Sequence, residues 1–93
     1  LPAAGAYENG LANRLTEAAE LVATTEALAE QIAANAPLSV MAGKQTAALT
    51  AEYPLTEALD RAETIWAPVY LSAVAQEAMQ AFTEKRPPRW KGA

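Results

Sequence analysis

Four basic side chains near the C-terminus are the residues of this sequence best suited to bind a ligand. They make up four of the seven Lys and Arg residues and lie within the last nine positions: Lys85, Arg86, Arg89 and Lys91. Residues 1–84 carry three basic and eleven acidic side chains, a net charge of −8. A short basic segment on an acidic chain favours one compact anion, such as a phosphate group, over a long nucleic acid.

The composition limits what other side-chain chemistry is available. The chain has no His and no Cys, which excludes Ser-His-Asp and Cys-His catalysis, disulfides and thiolate zinc sites. Four carboxylates are candidates for acid–base catalysis: Glu8, Glu57, Glu77 and Glu84. The pattern, however, places each of them at a helix start, on a solvated face or in a turn. We predict that they are solvated, and we assign no catalytic and no metal-binding residue.

The elements that must position these residues have little apolar area to bury. Of the 48 apolar residues, 24 are alanine, which adds little area when it is buried. A chain of this length then has a thin core, so we expect a partner or missing sequence to cover some apolar faces. Leu1 in place of Met suggests that the true start lies upstream. The longest uncharged runs, 31–43 and 64–76, are too short to span a bilayer.

The hydrophobic periodicity predicts a mainly α protein with four or five helices, whose ends are marked by proline and asparagine. A short helical turn should end at Gly10, and residues 11–15 give weak evidence for one strand. Helices should follow over 16–35, from 37 to about 53, from 54 to a kink or end near 67, and from a cap at Ser72 to 86. Pro87-Pro88 should end the last helix and leave 89–93 as an extended tail. In the last helix we expect an inward face of Val74, Ala75, Ala78, Met79 and Phe82.

Three stretches in this order resemble the C-terminal portion of the crotonase superfamily, also called the enoyl-CoA hydratase/isomerase family. Residues 6–15 (AYENGLANRL) resemble the family's A-x-x-x-G-L-V-N-x-V. Residues 29–38 (AEQIAANAPL), followed by Lys44, resemble A-x-x-I-A-x-N-x-P-x-A-x-x-x-x-K. Residues 77–90 (EAMQAFTEKRPPRW) resemble E-G-x-x-A-F-x-E-K-R-x-P-x-F. Together the three stretches extend over nearly the whole sequence.

The resemblance implies the C-terminal helical region of a crotonase-type fold. Residues 1–15 would end the spiral ββα core, and 16–93 would form a helical oligomerisation and lid region. The oxyanion-hole amides and catalytic carboxylates would lie upstream, in a missing N-terminal core, so these 93 residues alone should be inactive. The implied reaction is hydration of a 2-enoyl-CoA thioester by a homotrimer or dimer of trimers, with no cofactor beyond the substrate's coenzyme A.

The resemblance also assigns three substrate-binding residues, each of which has a plainer interpretation. Lys85 matches a position near the adenosine phosphate end of coenzyme A, although with Arg86 it can equally be a solvated partner of the helix dipole. Phe82 matches a position near the adenine, although its periodicity favours the core. Trp66 can wall the acyl or adenine pocket, or belong to a buried helix stripe.

Several alternatives remain open from the sequence. Isomerases and dehydratases of the same superfamily share this C-terminal pattern, so the reaction type is undetermined. A stand-alone helical protein-interaction module without catalysis would also explain the alanine-rich faces. A nucleic-acid-binding tail at residues 85–91 is the remote third hypothesis. Without Cys and without a visible export segment, we predict a cytoplasmic location.

Overall fold

The structure is a computed structural model that describes residues 1–91 and contains five α-helices over that range. They are α1 (Ala3–Glu8), α2 (Leu21–Ala33), α3 (Pro37–Glu52), α4 (Leu55–Tyr70) and α5 (Ala73–Glu84), with a 3₁₀ turn at Ala18–Glu20 before α2. Backbone contacts divide the chain into two compact units, residues 1–31 and the residues from 32 onward. The mainly helical architecture that the sequence predicts is confirmed.

In the first unit, α1 ends at Glu8, and the chain reverses two residues later through a left-handed residue, Gly10. Gly10 has φ 76°, a conformation that glycine adopts without the steric cost of a side chain. The amide of Asn9 donates to the carbonyl of Gly5 at 3.0 Å, and the amide of Leu11 donates to that of Ala6 at 2.8 Å. These bonds satisfy carbonyls that the short helix would otherwise leave open.

The prediction of a strand at residues 11–15 is wrong for this structure. The segment has no regular secondary structure, and no strand occurs anywhere in residues 1–91. A strand needs a second strand to satisfy its amides and carbonyls, and the described chain provides none. The following helix also begins later than predicted, because Glu17 is extended (ψ 152°) and the 3₁₀ turn precedes Leu21.

In the second unit, α3 and α4 form the main helix pair. Pro37 occupies the first turn of α3, where its missing amide costs no hydrogen bond. The buried positions of the two helices are mostly alanine: Ala42 on α3 and Ala58 and Ala62 on α4, with Val69 in the last turn of α4 as the exception. Small side chains let two helix backbones approach closely, which agrees with the alanine-rich composition.

One polar bond joins α3 to α4 across this contact. The Trp66 indole Nε1 donates to Thr46 Oγ1 at 2.9 Å, and that hydroxyl donates to the carbonyl of Ala42 at 2.9 Å. The Thr46 hydroxyl therefore accepts a hydrogen bond from a half-buried indole and donates one to a carbonyl of its own helix. The α3–α4 pair therefore combines small buried side chains with one interhelical hydrogen bond.

The predicted early end near Ala67 does not occur. Helix α4 continues through Pro68 to Tyr70, and the amides of Leu71 and Ser72 close it by donating to Ala67 and Val69 at 3.3 and 3.1 Å. Proline removes one helical hydrogen bond. Because Pro68 lies in the last turn, that loss falls where the helix is already ending.

Helix α5 begins as predicted but turns a different face inward. Ser72 Oγ accepts from the Ala75 amide at 3.3 Å, which confirms the predicted cap. Val74 and Ala81 are buried, whereas Met79 and Phe82 are 73% and 86% exposed. The inward positions thus follow the spacing 74, 77 and 81, and the predicted inward face was wrong at Ala78, Met79 and Phe82.

The described residues bury little of their apolar surface. Six apolar residues are buried, and four of them are alanine. Fourteen large apolar side chains are exposed: Leu1, Tyr7, Leu11, Leu15, Leu21, Val22, Ile32, Met41, Leu55, Leu59, Tyr70, Leu71, Met79 and Phe82. Such surfaces are typical of chains that pack against something further. Across residues 1–91, no helix combines the length and hydrophobicity needed to cross a membrane.

The hydrogen bond between Trp66 and Thr46 gives a stability prediction. Thr46→Val keeps the side-chain shape but removes the acceptor for the half-buried indole, so we expect the free energy of unfolding to fall by about 1 kcal/mol. Urea denaturation measures the change. Thr50→Val is the matched control, because the Thr50 hydroxyl bonds only the Ala47 carbonyl of its own helix, at 2.7 Å. Equal losses in both variants would show that the interhelical bond contributes nothing.

Candidate functional site

Lys85 lies at the C-terminal end of α5 in an unusual backbone conformation. Its φ of 53° and ψ of 44° make it the one non-glycine residue among 1–91 with a positive φ. The amide of Lys85 donates to the Phe82 carbonyl at 3.2 Å, and that of Arg86 donates to the Ala81 carbonyl at 3.0 Å. This pair of bonds is the Schellman motif, whose left-handed position is usually glycine. Here the position carries a lysine side chain.

The predicted coenzyme A residues Phe82 and Lys85 are both accessible. Phe82 is on the outer face of α5, and Lys85 follows it on the surface. Within residues 1–91, the Lys85 ammonium makes no hydrogen bond or ion pair. An aromatic face and an unpaired cation are thus exposed three positions apart.

The described contacts of Trp66 are with Thr46 and Tyr70, and none of them is with Phe82 or Lys85. Its indole is bonded to Thr46, and its ring centroid is 6.0 Å from that of Tyr70 with the planes 33° apart. The shallow groove beside it, about 410 Å³, is lined by residues of α4: Leu59, Ala62, Glu63, Trp66, Ala67 and Tyr70. No contact that the structure describes joins Trp66 to Phe82 or Lys85.

Arg86 is held in ion pairs, so its interpretation as a solvated helix-dipole partner was wrong. Its guanidinium donates to both carboxylate oxygens of Glu77, from Nη1 at 2.6 Å and from Nη2 at 3.3 Å. Its Nε donates to Glu84 at 2.5 Å, and Nη1 also reaches the Pro87 carbonyl at 3.2 Å. A bidentate arginine–carboxylate pair fixes orientation as well as charge. We call Glu77, Glu84 and Arg86 the arginine clamp.

The arginine clamp shifts the acid–base properties of its members. Hydrogen bonding from Arg86, with a further bond from the Arg89 amide, lowers the pKa of Glu77 from 4.5 to about 2. The Arg86 and Gln80 side chains lower the pKa of Glu84, and the two carboxylates raise the pKa of Arg86. Both carboxylates therefore stay ionised as counterions, which makes them unsuited to proton transfer near neutral pH.

The segment after Pro87 lacks helical structure, as predicted, and it is held by hydrogen bonds to α5 and to the Ala34 carbonyl. The Arg89 amide donates to Glu77 Oε1 at 2.8 Å. Trp90 Nε1 donates to the carbonyl of Ala34 at 2.9 Å. The fold-back leaves a small cavity of about 190 Å³ against α5. Of the predicted tail over 89–93, the last two positions lie outside the described residues.

Sequence reasoning missed the arginine clamp. Glu77 was interpreted as a solvated carboxylate, and its nine-residue separation from Arg86 matches no helical spacing. The two side chains meet because the left-handed turn at Lys85 reverses the chain. The signal in the sequence was the Pro87-Pro88 pair, which ends the helix but does not reveal a left-handed lysine. In residues 1–91, no three His, Cys, Asp or Glu side chains form a group able to hold a metal ion.

Comparison with known proteins gives consistent similarities over the whole chain. The family profile described as enoyl-CoA hydratase/isomerase matches residues 1–93. A carnitinyl-CoA dehydratase from Proteus mirabilis is 41% identical in an alignment of 87 positions that covers 89% of this chain and 33% of that protein. An (E)-benzylidenesuccinyl-CoA hydratase from Thauera aromatica is 34% identical over 88 residues, 95% of this chain and 34% of that protein.

Solved structures agree with the sequence comparison. An enoyl-CoA hydratase/isomerase from Mycobacterium paratuberculosis superposes with a TM-score of 0.96 at 33% identity, covering 100% of this chain and 37% of that one. An enoyl-CoA hydratase from Mycobacterium marinum gives 0.92 at 38% identity, with the same coverage. The chain thus spans about a third of the length of the curated relatives it matches.

The lowered pKa of Glu77 predicts a specific pH dependence of stability. A carboxyl with a depressed pKa stabilises the fold fully above its unfolded pKa, and this contribution is lost as the pH falls through the folded value. We therefore expect Glu77→Gln to be less stable than wild type at pH 7, with the difference shrinking between about pH 4.5 and pH 2.

Urea denaturation at several pH values measures this difference. The control is Glu57→Gln, which removes a more exposed pair, 3.1 Å between Glu57 Oε1 and Arg61 Nη2 on α4. Surface pairs of that kind contribute little. A stability difference at Glu77 that stays constant from pH 7 to pH 2 would contradict the ionic character of the arginine clamp.

Proposed function

Because the chain belongs to the enoyl-CoA hydratase/isomerase family, we propose that it forms the C-terminal helical region of an acyl-CoA enzyme. The reaction we propose is addition of water across the 2,3-double bond of a 2-enoyl-CoA thioester. The observation that carries this proposal is the family match over residues 1–93, with relatives named as a CoA-thioester hydratase and dehydratase. Dehydration is the same reaction in reverse, whereas isomerisation needs a different placement of the proton.

The described residues supply binding and packing in this proposal, and the reacting groups come from elsewhere in the protein. In the family mechanism, two backbone amides hold the thioester oxygen as negative charge develops, while carboxylates position and deprotonate water. The carboxylates of the arginine clamp are unsuited to that task, since Arg86 keeps both ionised. We therefore assign no described residue to proton transfer, and we propose no cofactor beyond the substrate's coenzyme A.

Phe82 and Lys85 are the residues we propose to contact coenzyme A. The Phe82 ring is free to stack on the adenine, an interaction of about 1–3 kcal/mol for exposed bases. The exposed Lys85 ammonium suits a phosphate, because it forms no ion pair with a carboxylate within residues 1–91. Trp66 remains part of the proposal as one wall of the groove on α4. Its bonded indole nitrogen leaves the ring face as the surface that a ligand would meet.

The exposed apolar surface supports the remaining parts of the proposal. We propose that residues 1–15 belong to the end of a spiral core and that 16–93 pack on that core and on neighbouring subunits, in a homotrimer or dimer of trimers. Fourteen large apolar side chains are exposed, and burying them would gain about 25 cal/mol for each Å² covered. We propose a cytoplasmic location and no nucleic-acid or membrane partner.

A stand-alone protein-interaction module without catalysis is the second candidate, and the same exposed apolar surface favours it. Sedimentation separates the two. A stable folded monomer of the 93 residues would favour the module. A chain that self-associates or unfolds alone would favour the region of a larger enzyme.

Replacing Lys85 tests the binding role. In the enzyme that contains these residues, we expect Lys85→Ala to raise KM for a short 2-enoyl-CoA about tenfold and to change kcat less than about twofold, because a remote phosphate contact gives mostly uniform binding. Steady-state kinetics measure both. Lys91→Ala is the control, since it removes the same charge from the same basic segment. An unchanged KM for Lys85→Ala would remove Lys85 from the site.

The isolated chain gives a second test. We expect the purified 93 residues to show no hydration of a short 2-enoyl-CoA, because the oxyanion hole and the catalytic carboxylates are assigned to other sequence. Loss of absorbance by the conjugated thioester follows the reaction, with the longer enzyme as the positive control. Turnover by the 93 residues alone would contradict this assignment of catalysis.

A further inference from the structure

We propose that Arg86 is a positioning residue for Lys85: held between Glu77 and Glu84, it fixes the left-handed turn from which the Lys85 ammonium reaches the phosphates of coenzyme A. This inference rests on the proposed function, since it gives Lys85 a phosphate to bind. It goes further by assigning a role to the arginine clamp. Arg86 itself would not touch the ligand.

The first argument is the backbone conformation of Lys85. A left-handed conformation disfavours residues with a side chain, and the position is one where glycine is preferred. Lysine nevertheless occupies it, with φ 53°. A non-glycine residue stays in such a conformation only when its surroundings hold it there, and such residues cluster at functional sites. The side chain kept at this cost is an exposed cation with no partner in residues 1–91.

The second argument is how the arginine clamp brackets that turn. The Arg86 guanidinium bonds Glu84, the residue before Lys85, and the carbonyl of Pro87, the residue after Arg86. Its two remaining contacts are with Glu77, two turns earlier on α5. One side chain therefore ties both flanks of the turn to the body of the helix. With the backbone fixed, the ammonium can move only through its own side-chain torsions.

The third argument is that Glu77 also holds the chain beyond the turn. The Arg89 amide donates to the same carboxylate oxygen that accepts from Arg86 Nη1. The segment from Arg86 to Arg89 is therefore bound at both ends to one carboxylate on α5. If these bonds only stabilised the C-terminal segment, their loss would lower the free energy of unfolding without a specific effect on coenzyme A binding through Lys85.

A double-mutant cycle on coenzyme A binding tests the inference in the full-length protein. Isothermal titration with coenzyme A gives Kd for wild type, Lys85→Ala, Arg86→Ala and the double variant. We expect Lys85→Ala to raise Kd about tenfold and Arg86→Ala to raise it about three- to fivefold. The double variant should bind no more weakly than Lys85→Ala alone, because Arg86 acts through Lys85. Kinetics of Arg86→Ala should show the increase in KM with little change in kcat.

Two further variants serve as controls for this interpretation. Arg61→Ala breaks the separate ion pair between Arg61 and Glu57 on α4, and it should leave the Kd for coenzyme A unchanged. If Arg86→Ala does not fold, Glu77→Gln loosens the arginine clamp while keeping its shape, and should give a smaller increase in Kd that disappears when Lys85 is alanine.

The outcomes separate this inference from the proposed function. No effect of Lys85→Ala on Kd would overturn the assigned role of Lys85 in coenzyme A binding. A clear effect of Lys85→Ala with none for Arg86→Ala and Glu77→Gln would overturn only the positioning role. Additive losses in the double variant would do the same, because Arg86 would then act independently of Lys85.

Discussion

The small size of the side chains at its helix contacts is the constraint on which this structure depends. Half of the apolar residues are alanine, and alanines form most of the buried positions of α3, α4 and α5. Helices that meet through methyl groups come close together but exclude little water for each contact. The larger apolar side chains are left on the outer faces, where they cannot stabilise the isolated chain. The fold is thus well defined locally by caps, prolines and single polar bonds, and its apolar surface is directed outward.

The same constraint explains why the candidate site lies at the end of α5 and not in an enclosed cavity. The described residues form shallow grooves, and the charged groups are concentrated where the chain leaves α5. There the arginine clamp uses two carboxylates and one guanidinium to hold a turn that apolar packing does not hold. A region of this kind suits the distant end of a large ligand, which needs charge and a flat aromatic surface more than a deep pocket.

Sequence reasoning succeeded where one residue decides the local structure. Pro37, Pro54 and Ser72 mark helix starts within a residue or two of those observed, because a missing amide or a capping hydroxyl acts locally. It failed where the outcome depends on partners distant in sequence. The strand at 11–15 needs a second strand, and the face of α5 depends on which side α4 covers. The contact of Glu77 with Arg86 needs a left-handed lysine, which nothing in the residue pattern indicates. The family resemblance, by contrast, was carried by residue identities and did not require any of these contacts.

The two indole side chains give the protein a pair of built-in optical reporters. Trp66 lies in the α3–α4 contact with its nitrogen bonded to a hydroxyl, whereas Trp90 fastens the C-terminal segment through the carbonyl of Ala34. Their emission therefore responds to different events, opening of a helix pair in one case and release of the chain end in the other. Proteins with only one of the two tryptophans would separate detachment of the terminus from global unfolding in the same titration.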